Sequence, residues 1–148
     1  MKFECFVFDE VEISKEERRV INKVVQEIFE SKWLKKELKN QNILEVSFSL
    51  ILLENVEAKK INFYFRNKNK IPDILSFPFG EKEGKKSILG DIIITPKMLK
   101  RNYKAIEEGY QKLLIHGLLH LLGFDHIQDR DFKKMNNLEN LILQELNN

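Results

Sequence analysis

All three histidines of this 148-residue chain fall in one short segment, HGLLHLLGFDH, as His116, His120 and His126. His116 and His120 are four residues apart, so on an α-helix they lie on one face, about 6 Å apart along the axis, and can converge on one ion. Gly123 can adopt the left-handed conformation that ends a helix, and the chain can then fold back to bring His126 to the same ion. Three imidazoles with one position left for water form a catalytic rather than a structural zinc site.

A packing role is the alternative for these residues. Histidine on an apolar helical face is more often a core residue than a ligand, and HxxxH alone occurs by chance. The glycine turn and the third histidine favour the metal site. We therefore expect one zinc ion per chain, although imidazole also suits other divalent metals such as nickel and copper.

Zincin peptidases share part of this pattern, but they carry a glutamate directly after the first histidine as general base. Gly117 occupies that position here. A peptidase of that type would lack its base.

The segment resembles HGxLHLxGYDH, the hallmark of the YbeY family of bacterial metal-dependent endoribonucleases, and departs from its fixed positions only at Phe124. Residues 61–78, INFYFRNKNKIPDILSFP, resemble the family's LNxxYRxKDxPTDVLSFP. LGDIII at 89–94 resembles its LGDIVI strand, and residues 129–143 resemble its last helix. The resemblance covers about residues 44–146. Further departures are Phe65 for tyrosine, Asn69 for aspartate, and Ile71 with Pro72 for proline and threonine.

The resemblance implies a single-strand endoribonuclease that acts in rRNA maturation, at the 16S 3′ end, and in ribosome quality control. Its partners would be rRNA and the ribosome or small-subunit assembly proteins, without DNA. The implied catalytic residues are Arg66 and His116, and the implied metal ligands are His116, His120 and His126. The guanidinium of Arg66 would bind phosphate oxygens bidentately, whereas the alternative is a surface arginine at a helix C-terminus.

Two other polar residues are weaker candidates for the site. Asp125 could orient an imidazole or accept a proton from water, but an aspartate beside a glycine is often only a turn former. Ser76 could line the cleft. We expect Trp33 and the phenylalanine runs to be packing residues, with base stacking left open for Tyr64 and Phe79.

The charge distribution points to a polyanion. The net charge is only +2, but residues 59–104 carry twelve basic and four acidic side chains, which leaves −6 on the rest of the chain. A basic sector of this kind indicates nucleic acid, although a solvated lysine-rich face is the ordinary alternative. Together with the metal motif it favours RNA.

The periodicities predict one α+β domain over residues 1–148: a small mixed sheet covered by about five helices, one of which is the zincin-like metal helix. Strands are predicted at 3–8, 44–52, 73–77 and 90–95, with a polar, mobile loop EKEGKK between the last two. Helices are predicted after a capping box of Ser14 and Glu17, at 57–66, after Pro96, at 110–122 and from Phe132 to Leu146.

The remaining composition indicates a cytoplasmic protein. The one cysteine, Cys5, cannot form an intramolecular disulfide and is expected to be a buried structural thiol. No apolar run reaches the length of a membrane span, and the N-terminal residues do not resemble a signal peptide. Two other classes stay open: a zinc metallopeptidase, and a ribosome-assembly factor that binds RNA without cutting it.

Overall fold

The computed structural model describes residues 2–125 and 128–148, and within these ranges it forms one four-stranded mixed sheet and six helices. The strands are β1 (Lys2–Asp9), β2 (Glu45–Leu52), β3 (Ile74–Glu83) and β4 (Lys86–Ile94). The helices are α1 (Lys15–Glu30), α2 (Lys32–Asn40), α3 (Asn55–Arg66), α4 (Pro96–Asn102), α5 (Ile106–Leu121) and α6 (Asp129–Leu146). The predicted α+β class with a small mixed sheet is confirmed, and the helix that the periodicity did not indicate is α2.

The sheet has the strand order β1-β2-β4-β3, in which β2 runs parallel to β1 and β4 while β3 runs antiparallel to β4. The strict alternation of β2 buries Val46, Phe48, Leu50 and Leu52 on one face. On that inner face Phe48 meets Phe29 of α1, with the ring centroids 6.0 Å apart. The inner face of the sheet and the helices therefore enclose one hydrophobic core.

The expected loop EKEGKK is mostly strand. β3 continues to Glu83 and β4 begins at Lys86, so a tight turn at Gly84, with φ +63°, joins them. The prediction failed because the backbone pairing satisfies this hairpin while its side chains stay exposed, and polar residues therefore give no hydrophobic signal.

Helix α1 begins where the sequence indicated, since the Ser14 hydroxyl accepts a hydrogen bond from the Glu17 amide at 3.0 Å. The Glu17 carboxylate itself turns into the interior, where it accepts a hydrogen bond from the Tyr110 hydroxyl at 2.6 Å and forms an ion pair with Lys100 Nζ at 2.6 Å. This network joins α1, α4 and α5, and it raises the pKa of Tyr110 through burial and the Glu17 hydrogen bond.

Helix α5 lies at the centre of the molecule, packed against α1, α4, α6, β3 and β4. It begins at Ile106, four residues earlier than predicted, and the prediction missed this turn because Glu107 and Glu108 follow Ile106 there. No helix of the described residues has the length and apolar character to cross a membrane. Cys5, which was expected to be buried, is half-buried on β1, and desolvation raises the pKa of its thiol to about 12.

Candidate metal centre

Two of the three predicted ligands converge on one face of α5. The Nε2 atoms of His116 and His120 are 3.0 Å apart, and the two half-buried rings are nearly perpendicular, with centroids 4.5 Å apart. The spacing of four residues therefore has the predicted effect, because it aims both Nε2 atoms at one point.

The other nitrogen of each ring is held by the protein. Nδ1 of His116 lies 2.5 Å from Oε1 of Glu139 on α6, and Nδ1 of His120 lies 2.9 Å from the carbonyl oxygen of Phe124. Because a carbonyl and an ionised carboxylate only accept hydrogen bonds, we assign the proton to Nδ1 in both neutral rings. The Nε2 atoms then present lone pairs.

The turn after α5 has the form that Gly123 predicted. Gly123 has φ +100°, its amide donates to the His120 carbonyl at 3.0 Å, and the Phe124 amide donates to the Leu119 carbonyl at 3.0 Å. These two bonds form a Schellman motif. The turn thereby brings the Phe124 carbonyl to His120, while the third predicted ligand, His126, lies outside the described residues.

The two histidines line a surface cavity of about 410 Å³ together with the other candidate residues, Arg66, Ser76 and Asp125. Arg66 is the last residue of α3 and donates a hydrogen bond from Nη2 to the Ser76 carbonyl at 3.3 Å. A second cavity of about 340 Å³ adjoins the first at Ile74 and His116. Residues predicted from separate stretches of sequence thus line the same cavity.

The position that bears the general base in zincin peptidases packs against the sheet. Gly117 is buried, and a Cβ atom there would lie 2.9 Å from Cδ1 of Ile74 and 3.2 Å from Oγ of Ser76. A glutamate at this position would collide with the sheet, so α5 needs its glycine for close packing.

A complete ligand set is not contained in the described part of the chain. Residues 2–125 and 128–148 include no group of three His, Cys, Asp or Glu side chains arranged to hold a metal ion. Two of the three predicted ligands fall in this range, and the position of the third, His126, is not described.

Sequence reasoning missed the residues that hold the imidazole rings. Glu139 was treated only as part of the last helix, although it follows Met135 by four residues and therefore lies near the apolar side of α6. A carboxylate on the apolar side of a helix is the signal that could have identified it. The Phe124 carbonyl, a backbone group, gives no sequence signal.

The aromatic residues at the end of α3 also differ from the expected packing role. Phe63, Tyr64 and Phe65 are 54%, 81% and 63% exposed, and Phe79 is 50% exposed. Only Ala58 and Asn62 of α3 are buried. Trp33, in contrast, packs partly buried against the core.

Comparison with known proteins supports the resemblance over nearly the whole chain. The family model described as endoribonuclease YbeY matches residues 8–147. An endoribonuclease YbeY of Francisella philomiragia is 38% identical, in an alignment that covers 72% of this chain and 82% of the relative. That of Pelagibacter ubique is 44% identical, covering 66% and 68%, and that of Aquifex aeolicus is 35% identical, covering 78% and 80%.

One solved structure has a similar fold. The solution structure of TM1509 from Thermotoga maritima matches with a TM-score of 0.62 and 24% identity, over 96% of this chain and 88% of that protein. At this identity the match concerns the fold alone. It agrees with the α+β architecture described above.

Proposed function

The chain belongs to the YbeY family of endoribonucleases, and from this membership we propose that it cleaves single-stranded RNA at a zinc centre of His116, His120 and His126. The observation that carries the proposal is the 3.0 Å approach of the two Nε2 atoms inside a cavity that Arg66 also lines. His126 is proposed from its spacing after Gly123.

The donor chemistry fits a zinc ion. Two neutral rings whose Nδ1 atoms are donors direct two lone pairs at the same point, which is favourable only with a cation or a proton between them. Two nitrogens of a tetrahedral zinc site, each about 2.0–2.1 Å from the ion, are roughly 3.3 Å apart. The distance between the Nε2 atoms lies within a few tenths of an ångström of that value.

When bound, the ion supplies Lewis-acid chemistry, which polarises a phosphodiester and makes a water molecule more acidic. The chain supplies orientation and charge. Glu139 and the Phe124 carbonyl hold the two imidazoles, and the Ser76 carbonyl holds Arg66 at the rim of the cavity. The guanidinium would then stabilise charge that develops on the phosphoryl oxygens. Asp125 lines the same cavity and is a candidate proton acceptor.

We also propose that the substrate is rRNA, with action in maturation of the 16S 3′ end and in ribosome quality control. Family membership supports an RNA substrate, and the +8 charge of residues 59–104 suits a polyanion. The ribosome or small-subunit assembly proteins would be the protein partners, and a cytoplasmic location stays a prediction.

The two alternative classes are not favoured. The buried position of Gly117 removes the site where a zincin peptidase carries its base. A factor that only binds RNA would not need two imidazole Nε2 atoms 3.0 Å apart in a cavity that Arg66 also lines.

Cleavage assays on the zinc-loaded protein test this proposal. We expect the wild type to cut a labelled single-stranded RNA and to leave an unstructured protein such as casein intact. His116→Ala should lose RNA cleavage, whereas Asn22→Ala, an exposed change on α1, should keep it. Cleavage of casein, or RNA cleavage by His116→Ala at the wild-type rate, would contradict the proposal.

A further inference from the structure

Three aromatic rings form a contiguous surface where α3 meets the outer face of the sheet. The Tyr64 and Phe65 ring centroids are 4.8 Å apart with planes at 77°, and Phe65 and Phe77 of β3 are 5.3 Å apart with planes at 67°. We call Tyr64, Phe65 and Phe77 the aromatic patch. Two of its members are more than 60% exposed. Contiguous exposed apolar groups of this kind usually mark an interaction site.

The chain around the aromatic patch is strongly basic. Residues 59–70 contain five basic side chains and no acidic one, and all five are exposed. Among the ion pairs of the described residues, this segment contributes only Lys60 with Glu57, at 3.6 Å. One carboxylate borders the patch, because Asp91 lies opposite Phe77 in the strand register. The balance of charge still favours an anionic partner.

The aromatic patch adjoins the proposed cleavage cavity through neighbouring residues of α3 and of the edge strand β3. Phe65 directly precedes Arg66, and Phe77 directly follows Ser76, so in each of the two elements one residue belongs to the patch and its neighbour lines the cavity. The hydrogen bond from Arg66 to the Ser76 carbonyl joins the two elements at this boundary. An RNA strand bound across Arg66 would therefore contact the aromatic patch next.

We propose that the aromatic patch is a stacking platform for unpaired bases of single-stranded RNA, with phosphates contacted by the exposed lysines of residues 59–70. The inference rests on the proposed function and extends it, because it identifies the surface that would hold the strand beside the cut. Aromatic faces combined with a basic track are what single-stranded nucleic acid needs, since every base has a π-face. A protein partner suits the patch less well, because lysine is depleted at protein–protein interfaces.

The test measures binding to a labelled 2′-O-methyl oligouridylate by fluorescence anisotropy, with the protein as purified and the oligomer checked by gel to stay intact. Tyr64→Leu and Phe65→Leu keep an apolar side chain and remove the ring, whereas Phe65→Trp keeps a ring. We expect the leucine variants to raise Kd about fivefold to a hundredfold and Phe65→Trp to bind like the wild type.

A matched control is Phe8→Leu, a phenylalanine with 50% exposure on β1 at the opposite edge of the sheet, which should not change Kd. A second control is the same oligomer with abasic units, which keeps the phosphates and lacks the bases. The wild type should bind it more weakly, and the leucine changes should then have no further effect. Tyr64, at 81% exposure, can be replaced without disturbing the core.

Wild-type affinity in both leucine variants would overturn the platform while leaving cleavage at the metal centre untouched. The platform would also be rejected if these variants bound RNA normally but no longer bound a ribosomal protein that the wild type binds, because the patch would then be a protein-docking site. If RNA binding depends on the aromatic rings but the wild-type protein does not cleave RNA, the proposed function is rejected and the stacking platform is kept. Absence of any RNA binding would reject both.

Discussion

At the scale of single residues, the described histidines owe their orientation to groups that would never touch an ion. Each Nδ1 atom is held by an oxygen, Glu139 Oε1 for His116 and the Phe124 carbonyl for His120, while the two Nε2 atoms lie 3.0 Å from each other. Such partners fix the ring and raise its basicity as a ligand. Metal affinity should therefore depend on α6 as well as on α5.

Replacing Glu139 with alanine tests this dependence. Loss of the carboxylate frees the His116 ring, so Glu139→Ala should weaken zinc binding about tenfold to a hundredfold. The measurement is the zinc Kd from competition with a chromophoric chelator. Asn137→Ala, an exposed change on the same helix, is the control. Equal zinc affinity in Glu139→Ala and the wild type would reject Glu139 as a positioning residue.

Substitution of Arg66 distinguishes a role in cleavage from a role in the fold. Arg66→Lys keeps the charge but loses the planar fork, so single-turnover RNA cleavage should fall about a hundredfold to a thousandfold while zinc content stays the same. If Arg66 only caps the C-terminus of α3, cleavage by Arg66→Lys at saturating enzyme would match the wild type. That result would return Arg66 to a structural role.

At the scale of elements, the C-terminal turn of α5 links backbone conformation to the site. Its two Schellman bonds end the helix and carry the Phe124 carbonyl to Nδ1 of His120. The positive φ of Gly123 is required for this path, and among the described residues no atom beyond its two chain neighbours lies within 4 Å of a Cβ built there. A substitution at Gly123 would therefore act through backbone strain rather than a collision.

Gly123→Ala should cost roughly 1–2 kcal/mol of stability through this strain and should weaken zinc binding as the carbonyl shifts. Gly84→Ala is a close control, because Gly84 also has a positive φ and no neighbour within 4 Å but lies in the distant β3–β4 turn. Denaturant unfolding should report a loss in both variants, and zinc titration a loss only in Gly123→Ala. Equal zinc affinities of Gly123→Ala and the wild type would show that the turn does not affect zinc binding.

The buried hydrogen bond between Tyr110 of α5 and Glu17 of α1 leads to a second prediction, which concerns stability. Tyr110→Phe removes the hydroxyl that donates to Glu17 at 2.6 Å and leaves a buried carboxylate with one donor fewer. The free energy of unfolding should fall by about 1–3 kcal/mol, measured by denaturant titration. Tyr64→Phe removes the same group from an exposed ring and should change stability by less than roughly 0.5 kcal/mol. Equal effects would mean that the Glu17 network contributes nothing.

At the scale of the whole molecule, the sequence indicated most of the elements that have an apolar pattern, although α2, with Leu34 and Leu38 buried four residues apart, was missed. Alternation placed β2, and the spacing of Val24, Ile28 and their neighbours placed α1. The sequence did not predict the β3–β4 hairpin at Lys82 and Lys86 or the polar first turn of α5. Backbone hydrogen bonds, not apolar side chains, define both of them. The site followed the same rule: histidine spacing was readable, but the contact of Glu139 depends on how α6 packs on α5.

The measurement that tests the account most directly is the metal content of the purified protein by mass spectrometry. We predict one zinc ion per chain in the wild type and its loss in His116→Ala, His120→Ala and His126→Ala, because a tetrahedral site with three protein ligands rarely keeps tight binding with two. Asn22→Ala should keep the full stoichiometry. Stoichiometric zinc in a folded His126→Ala or His120→Ala protein, or a wild type that takes up no zinc, would contradict the three-histidine centre.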